Sequence, residues 1–240
     1  MLSKSGFAHD RCFAFAAQDG EGEWKFISQR TKPQMAMISQ ELWVPHDGCD
    51  PNLPYVKVGG CVVVSFPDPD KWSMTKHIKA MFEIWTIFVK PQVRFVIPLL
   101  HADSGETIEL KLKNFRIHNQ TASGLDLGAL HSVVAYQSKL QRFLNLPPGS
   151  NVTILRSTPR TLVRTERNLA PLSNIGTPAL HGYTDQQPVH LINISSVHEV
   201  SELLPPENQP LDAFRFRANI YLAGAPAFSE ENWKQFRILP

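Results

Sequence analysis

The 240-residue sequence predicts a β-rich α+β fold with a few short helices. Short runs in which apolar and polar residues alternate, typical of strands with one solvent-exposed face, recur along most of the chain. Turn signals separate these runs, for example Asp19-Gly20, which suits a β-hairpin. Only two segments, 130–144 and 196–204, carry apolar residues at helical spacing. We therefore expect strands to outnumber helices by a wide margin.

Strands are predicted in this order along the chain: 12–17, 23–28, 61–66, 93–100, 106–114, 152–157, 161–165, 189–194 and 219–224. Alternation is clearest where Ile108, Leu110 and Leu112 are separated by charged residues. The stretch 67–90 opens polar and ends apolar, which leaves its class open as an excursion between strands.

Both predicted helices have recognisable ends. The first, 130–144, is followed by Pro147-Pro148, and proline cannot continue the helical hydrogen-bond ladder. The second begins with Ser196 and Glu199 in the spacing of a capping box. Pro205-Pro206 ends it. The weakest linkage in the chain lies near 114–129, where we predict a domain boundary.

Composition excludes several classes of protein. Hydrophobic residues make up 42% and charged residues 19% of the chain, which indicates a folded domain and not a disordered one. A formal net charge of +2 is too small to require nucleic acid as a partner. We find no apolar run of about 18 residues, so no membrane segment is predicted. The first residues resemble neither a secretory signal nor a transit peptide, so we expect a soluble protein of the cytoplasm or mitochondrion.

The three cysteines, Cys12, Cys49 and Cys61, do not predict a disulfide framework or a metal site. They are odd in number, far apart and form no CxxC. Cys12 and Cys61 lie in apolar runs, where cysteine usually behaves as a small buried hydrophobe. The nine histidines form no HxH or HExxH, and nucleotide and hydrolase motifs are absent, so no metal ligand is assigned.

Two arginine-bearing segments are candidates for anion binding. In the first, four arginines follow one another within RSTPRTLVRTER: Arg156, Arg160, Arg164 and Arg167. A planar guanidinium suits phosphate, but a solvated face is the favoured interpretation. In the second, Arg215, Arg217 and Asn219 would share one face of a strand, with Phe214, Phe216 and Ile220 on the other. That arrangement would suit a phosphate and a heterocycle edge; the alternative is a surface strand whose arginines pair with Glu230 and Glu231.

Several stretches resemble one known family. They are GFAHDRCFAF followed by FISQRTKPQMAMI, ASGLDLGALHSVVAYQSKLQRFL before RTLVR, HGYTDQQPVHLINISSVHEV, and FRFRANIYLAGAPAFSEENW. Together they resemble MOSC domains, and within them the subgroup containing the mitochondrial amidoxime-reducing component. Ala218 stands where the family has proline. The resemblance implies a MOSC-like β-barrel, with an N-terminal β-barrel-like domain at 1–115 and the MOSC domain at 116–240.

The resemblance also implies a cofactor and its site. The family binds molybdopterin in a positively charged cleft, and it is also associated with pyridoxal phosphate binding. By position, Arg11 and the turn Asp185-Gln186-Gln187 would meet the cofactor's phosphate, and Arg217 and Asn219 would bind the pterin and its phosphate. Family chemistry is the reduction of small N-hydroxylated substrates at molybdenum, with a cytochrome b5-type protein as electron donor.

Two departures from the family lead us to expect a chain truncated at both ends. The family's metal-ligating cysteine follows the segment that ends here at Trp233, and no cysteine follows Cys61. The family's first strand carries a Lys-Ser pair, and Lys4-Ser5 lies too close to Gly6 to match it. If Arg11 and Cys12 lie on a strand, alternation turns the Cys12 thiol away from the face of Arg11. The resemblance therefore predicts doubtful activity for this form, and a non-catalytic MOSC remnant or interaction module is the alternative.

Overall fold

A computed structural model describes residues 2–3, 6–70, 91–99, 110–117, 120–164, 171–178, 180–184, 187 and 189–234. The chain forms two compact units. Residues 11–162 form one, which we call the barrel unit, and residues 1–10 with 163–240 form the other, which we call the terminal unit. Each is described by itself.

The strands, in chain order, are β1 (Leu2–Ser3), β2 (Gly6–Phe7), β3 (Phe13–Gln18), β4 (Trp24–Phe26), β5 (Ser39–Trp43), β6 (Cys61–Pro67), β7 (Gln92–Pro98), β8 (Leu112–Ile117), β9 (Gln120–Asp126), β10 (Val152–Arg156), β11 (Val163–Arg164), β12 (Leu180–His181), β13 (Leu191–Asn193) and β14 (Ile220–Leu222). The α-helices are α1 (Pro54–Lys57), α2 (His131–Phe143), α3 (Leu172–Ile175) and α4 (Ile194–Glu202). Short 3₁₀ helices lie at Pro33–Met37, Pro206–Asn208, Ala213–Phe216 and Ser229–Asn232.

A closed five-stranded barrel dominates the barrel unit, in the order β10-β3-β4-β8-β9. All of its strand pairs are antiparallel except β4 with β8, which is parallel. On β3 the buried residues include the small side chains of Ala14 and Ala16. On β10, Ile154 and Leu155 have almost no exposed surface. The β-rich fold with a β-barrel that the sequence predicts is confirmed.

A three-stranded antiparallel sheet, β5-β6-β7, packs into the same core as the barrel. Along β7 the residues alternate between exposed and buried, as expected for a strand with one wet face. Helix α2 closes this core with Val133, Leu140 and Phe143. The ring of Phe143 lies 5.0 Å from that of Phe66, which is fully buried on β6. The helix predicted at 130–144 is confirmed, and the apolar residues on which the prediction rested include these three buried side chains.

Charged side chains fasten the end of β6 to α2. Asp68 is only 6% exposed, and its Oδ2 accepts a hydrogen bond from Lys139 Nζ at 2.9 Å. Arg142 holds the exposed Asp70 through two bonds of 2.9 Å from Nε and Nη2. Because Asp68 is buried, loss of its cationic partner would cost the fold more than loss of the solvent-screened pair beside it.

Gly60 permits a close backbone approach between α1 and the sheet. Its φ of +109° is unfavourable for residues with a side chain, and a Cβ there would lie 2.5 Å from the Trp43 carbonyl oxygen. The Gly60 carbonyl in turn accepts from the Leu99 backbone N–H at 2.9 Å. Glycine at this position is therefore a requirement of the local packing.

In the terminal unit, β13 and β14 pair in parallel, and α4 follows β13 directly. The second predicted helix is thus confirmed, but its predicted start is wrong. Asn193 caps α4, accepting a hydrogen bond from Ser195 N at 3.2 Å, so the helix begins before Ser196. Asparagine is as good an N-cap as serine, and here it has the extended backbone that a cap requires.

The predicted domain boundary and the compact units differ. A boundary between residues 115 and 116 falls inside β8, a strand of the barrel that pairs with β9. The units instead divide after residues 10 and 162. The assignment of 1–115 and 116–240 as separate family domains stays a prediction. No helix among the described residues has the length and apolarity to cross a membrane.

Candidate functional site

The parallel pairing of β13 and β14 brings two of the predicted site segments to one edge of the terminal unit. Parallel strands begin at the same edge, so the residues preceding β13 and those preceding β14 are neighbours there. Asn219 makes this junction: its backbone N–H donates to the His190 carbonyl at 2.8 Å. Its side-chain Oδ1 accepts from His190 N at 2.9 Å. The segment that follows residues 185–187 is therefore tied directly to the segment that contains Arg217.

Asn219 also holds the N-terminal segment, since its Nδ2 donates to Asp10 Oδ2 at 2.9 Å. The carboxamide thus joins three stretches of chain through one acceptor bond and one donor bond. Among the described residues, one N–H and one lone pair of that amide remain for other partners. Sequence reasoning assigned Asn219 to the pterin, and that contact stays a prediction. The structure shows a side chain that positions the edge.

The strand predicted to carry Arg215, Arg217 and Asn219 on one face is not present, and the same-face arrangement is wrong. Ala213–Phe216 form a 3₁₀ helix, capped by Asp212, whose Oδ1 accepts from Phe214 N at 2.8 Å. Arg217 follows it with left-handed backbone, φ 54° and ψ 40°. An Asp cap two residues ahead stabilises a turn in place of an extended chain, which destroys the period-two alternation. Arg217 nevertheless lies exposed at the edge, just before β14.

Thr184 is a candidate that the sequence did not single out. Thr184 is buried, with 8% of its surface exposed, and among the described residues its Oγ1 has no hydrogen-bond partner. An unpaired buried hydroxyl costs about 1–3 kcal/mol, so such groups call for a ligand or another explanation. Asp185 and Gln186 lie outside the described residues, while Gln187 is described and half-buried. The one signal in the sequence was its position immediately before the Asp-x-x-Pro turn.

At the opposite end of β13, three side chains lock the segment after β14 onto α4. Asn193, fully buried, donates from Nδ2 to Glu230 Oε2 and to the Pro226 carbonyl, both at 2.8 Å. Ser196 Oγ donates to Glu230 Oε1 at 2.6 Å and accepts from Phe228 N at 2.8 Å. Because the Ser196 hydroxyl and then the Asn193 amide stabilise the carboxylate, the pKa of Glu230 is lowered.

This stretch of the terminal unit matches a known family. Residues 178–238 match the family model of the MOSC domain. We therefore call residues 178–238 the MOSC segment. It covers about a quarter of the chain and contains two of the stretches on which the resemblance rests, 181–200 and 214–233. The search of curated proteins found no match to this chain.

Within the MOSC segment, the groups that fit an anionic pterin cofactor are a buried hydroxyl without a partner and an exposed arginine. Thr184 precedes the residues assigned to the phosphate, 185–187, and Arg217 lies at the edge where β13 and β14 begin. MOSC domains are generally associated with the molybdenum cofactor. A guanidinium and a hydroxyl are suitable donors to phosphate and to a heterocycle edge. The donor set that is described therefore fits the phosphate-bearing part of such a cofactor.

Arg11 lies in a turn and not on a strand, so the alternation expected for Arg11 and Cys12 is wrong. Its φ is 46°, and β3 begins only at Phe13. His9, two residues earlier, is also left-handed, with φ 65°. Arg11 belongs to the barrel unit and Arg217 to the terminal unit, and their convergence stays a prediction.

The other arginine cluster divides by environment. Arg156, at the end of β10, is half-buried with its guanidinium 6.0 Å from the Phe13 ring, and burial lowers its pKa. Arg160 and Arg164 are exposed, and Arg167 lies outside the described residues. The interpretation of these arginines as one solvated face therefore does not hold for Arg156. A turn between Thr158 and Thr161 separates β10 from β11, with Thr161 N donating to the Thr158 carbonyl at 2.9 Å.

The cysteines occupy three different environments. Cys61 is 5% exposed, and burial raises the pKa of its thiol. Cys12 is half-buried. Cys49 lies 3.5 Å from the Tyr55 hydroxyl, and that hydrogen bond lowers the pKa of the thiol. Among the residues that the structure describes, no three His, Cys, Asp or Glu side chains form a group able to hold a metal ion.

Proposed function

We propose that this chain binds a molybdenum cofactor at the edge where β13 and β14 begin. The observation that carries the proposal is the buried Thr184 hydroxyl, which has no partner among the described residues and immediately precedes Asp185 in the MOSC segment. A polar ligand group would satisfy that hydroxyl, which is otherwise a net cost to the fold.

The residues would divide the work of binding. Arg217 and the turn Asp185-Gln186-Gln187 would hold the cofactor's phosphate, with Arg11 joining them as the resemblance implies. A guanidinium binds a phosphate through two parallel N–H bonds, and successive backbone N–H groups can form a concave site for an anion. Asn219 would keep these segments in place through the bonds to His190 and Asp10, besides any direct contact with the pterin.

We further propose an oxidoreductase of the amidoxime-reductase type. When bound, the cofactor would supply two-electron reduction of N-hydroxylated substrates at molybdenum, fed by a cytochrome b5-type donor. The protein's part would be to hold the pterin, exclude water and present the substrate. Arg217, exposed at the edge, would balance the negative charge of the phosphate.

The positions of the cysteines set the expected activity of the 240-residue polypeptide. The family holds molybdenum through one thiolate, and the MOSC segment contains no cysteine. Contacts to the pterin orient the cofactor but do not ligate the metal. We therefore expect pterin binding with little or no turnover. Cys12, beside Arg11, is the thiol to test first as a substitute ligand.

The test measures molybdenum and turnover on the same sample. The 240-residue chain, loaded with cofactor, is assayed for benzamidoxime reduction with a reduced cytochrome b5-type donor, alone and beside a version extended through an Arg-Cys segment. We expect activity in the extended version only. Equal turnover by both contradicts the argument, and Cys12→Ser then shows whether that thiol ligates the metal.

A second candidate is a MOSC remnant or interaction module without bound metal. The absence of cysteine from the MOSC segment favours it. Metal and pterin analysis separates the two. About one molybdenum per chain supports the cofactor protein, whereas a chain that contains neither pterin nor molybdenum supports the module.

A further inference from the structure

The barrel unit contains a basic cleft of about 430 Å³, away in sequence from the MOSC segment. Its lining consists of three cations, two hydroxyl residues and one aromatic ring: Lys25, Arg30, Arg116, Ser28, Thr31 and Phe26. None of the residues assigned to the cofactor lines it. We call it the basic cleft.

The parallel pairing of β4 with β8 explains why two of the cations meet. Lys25 and Arg116 are register partners across these strands, so their side chains start side by side. Both are exposed, whereas Phe115, the neighbour of Arg116 on β8, is buried in the opposite direction. Arg30 comes from the turn that follows β4. Two parallel strands and a turn thus bring together charges that are far apart in the sequence.

The turn that carries Arg30 is held by reciprocal hydrogen bonds. Ser28 N donates to Thr31 Oγ1 at 3.1 Å, and Thr31 N donates to the Ser28 carbonyl at 3.1 Å. Lys32 N also donates to the Ser28 carbonyl, at 2.8 Å, and Lys32 Nζ is bound to the Asn145 carbonyl at 2.8 Å. The turn is therefore ordered without a ligand, which lowers the entropic cost of binding one.

The charge of the basic cleft is only partly compensated. Lys25 Nζ pairs with Asp19 Oδ2 at 2.6 Å. Within the described part of the chain, neither Arg30 nor Arg116 pairs with a carboxylate. Two guanidinium groups facing a cleft edged by hydroxyls form an arrangement suited to an oxyanion.

We propose that the basic cleft binds the phosphate group of a small molecule. Arg30 and Arg116 would hold the phosphate oxygens with their guanidinium groups, and the Thr31 hydroxyl lies at the same wall. The Phe26 ring offers an apolar surface for an organic part of the ligand. The volume falls at the small end of the range for small-molecule sites, about 300–1,000 Å³, which suits a phosphate or a compact phosphate ester.

Calorimetric titration of the 240-residue protein with inorganic phosphate and with phenyl phosphate tests this site. We expect saturable binding of at least one probe, weakened about tenfold or more by Arg30→Gln and by Arg116→Gln, since each removes a charge-assisted pair. The matched control is Arg94→Gln, which removes an equal charge from an exposed arginine paired with Glu41 outside the cleft. Unchanged thermal melting confirms that the variants fold.

The two probes distinguish the sources of the phosphate. If phenyl phosphate binds more tightly than inorganic phosphate, and Phe26→Leu abolishes that difference, the ligand is a phosphate ester whose organic part packs on the Phe26 ring. Equal binding of both probes identifies free phosphate. Equal weakening by all three arginine variants, or no binding of either probe at millimolar concentration, overturns the proposal.

Discussion

Asn193 joins three elements of the MOSC segment, and its removal gives a sharp test of how that segment is held together. The side chain has no exposed surface. Its Oδ1 caps α4 through Ser195 N, and its Nδ2 reaches both the Pro226 carbonyl and Glu230 Oε2. Asn193→Ala removes all three contacts and opens a void at a buried position.

The expected cost follows from the contacts that are lost. An N-cap asparagine contributes about 1 kcal/mol. The bond to the Pro226 carbonyl contributes about 1 kcal/mol more. Together these two losses lower the free energy of unfolding by about 2 kcal/mol, a large share of the 5–15 kcal/mol typical of a domain.

Urea unfolding and hydrogen exchange measure the effect. We expect a lower unfolding midpoint and loss of amide protection across α4 (Ile194–Glu202). The matched control is Asn208→Ala, because Asn208 is exposed on a 3₁₀ helix of the same unit and should change stability by less than about 0.5 kcal/mol. Equal effects of the two substitutions refute the role of Asn193.

Three further outcomes are expected. Lys139→Gln, which removes the cation paired with the buried Asp68 carboxylate, should lower the free energy of unfolding by about 1–3 kcal/mol, whereas Arg142→Gln should cost less than about 1 kcal/mol; similar urea midpoints contradict this ranking. The pKa of Glu230 is lowered below its ordinary 4.5, so its stabilisation is present above that pH and is lost as the pH falls through the folded value. Thermal melting of Glu230→Gln between pH 6 and 3 should therefore depend less on pH than that of the wild type, and parallel curves refute it. Gly60→Ala should destabilise more than Gly48→Ala, because both have positive φ but only Gly60 adds a backbone clash; equal melting temperatures contradict the packing argument.

The sequence predicts the elements that bury a regular apolar pattern, and it misses those that do not. The strand β5 (Ser39–Trp43) was not predicted, because every residue on it is exposed and no alternation marks it. The strand β9 (Gln120–Asp126) was placed in a weak linkage, since small residues and a glycine give it little strand signal. Both are specified by pairing with neighbours, which a single-sequence pattern cannot show.

Only those parts of the candidate site that depend on local sequence motifs could be predicted. The segments around Asp185 and Arg217 were recognised, yet the extended conformation assigned to the second was wrong because Asp212 caps a 3₁₀ turn. The unpaired hydroxyl of Thr184 depends on tertiary burial. The basic cleft likewise depends on the register that sets Lys25 beside its partner on β8. No periodicity reports such long-range pairings.

The most direct test of the central claim is the pterin content of the purified chain and of two variants. The protein is produced in a host that makes molybdopterin, and its bound pterin is oxidised to a fluorescent derivative, which is quantified per chain. We expect about one pterin per chain, reduced about tenfold or more by Arg217→Gln and lowered by Thr184→Val, with Arg94→Gln unchanged. Wild-type protein that contains no pterin, or that keeps it equally in Arg217→Gln, contradicts cofactor binding at this edge.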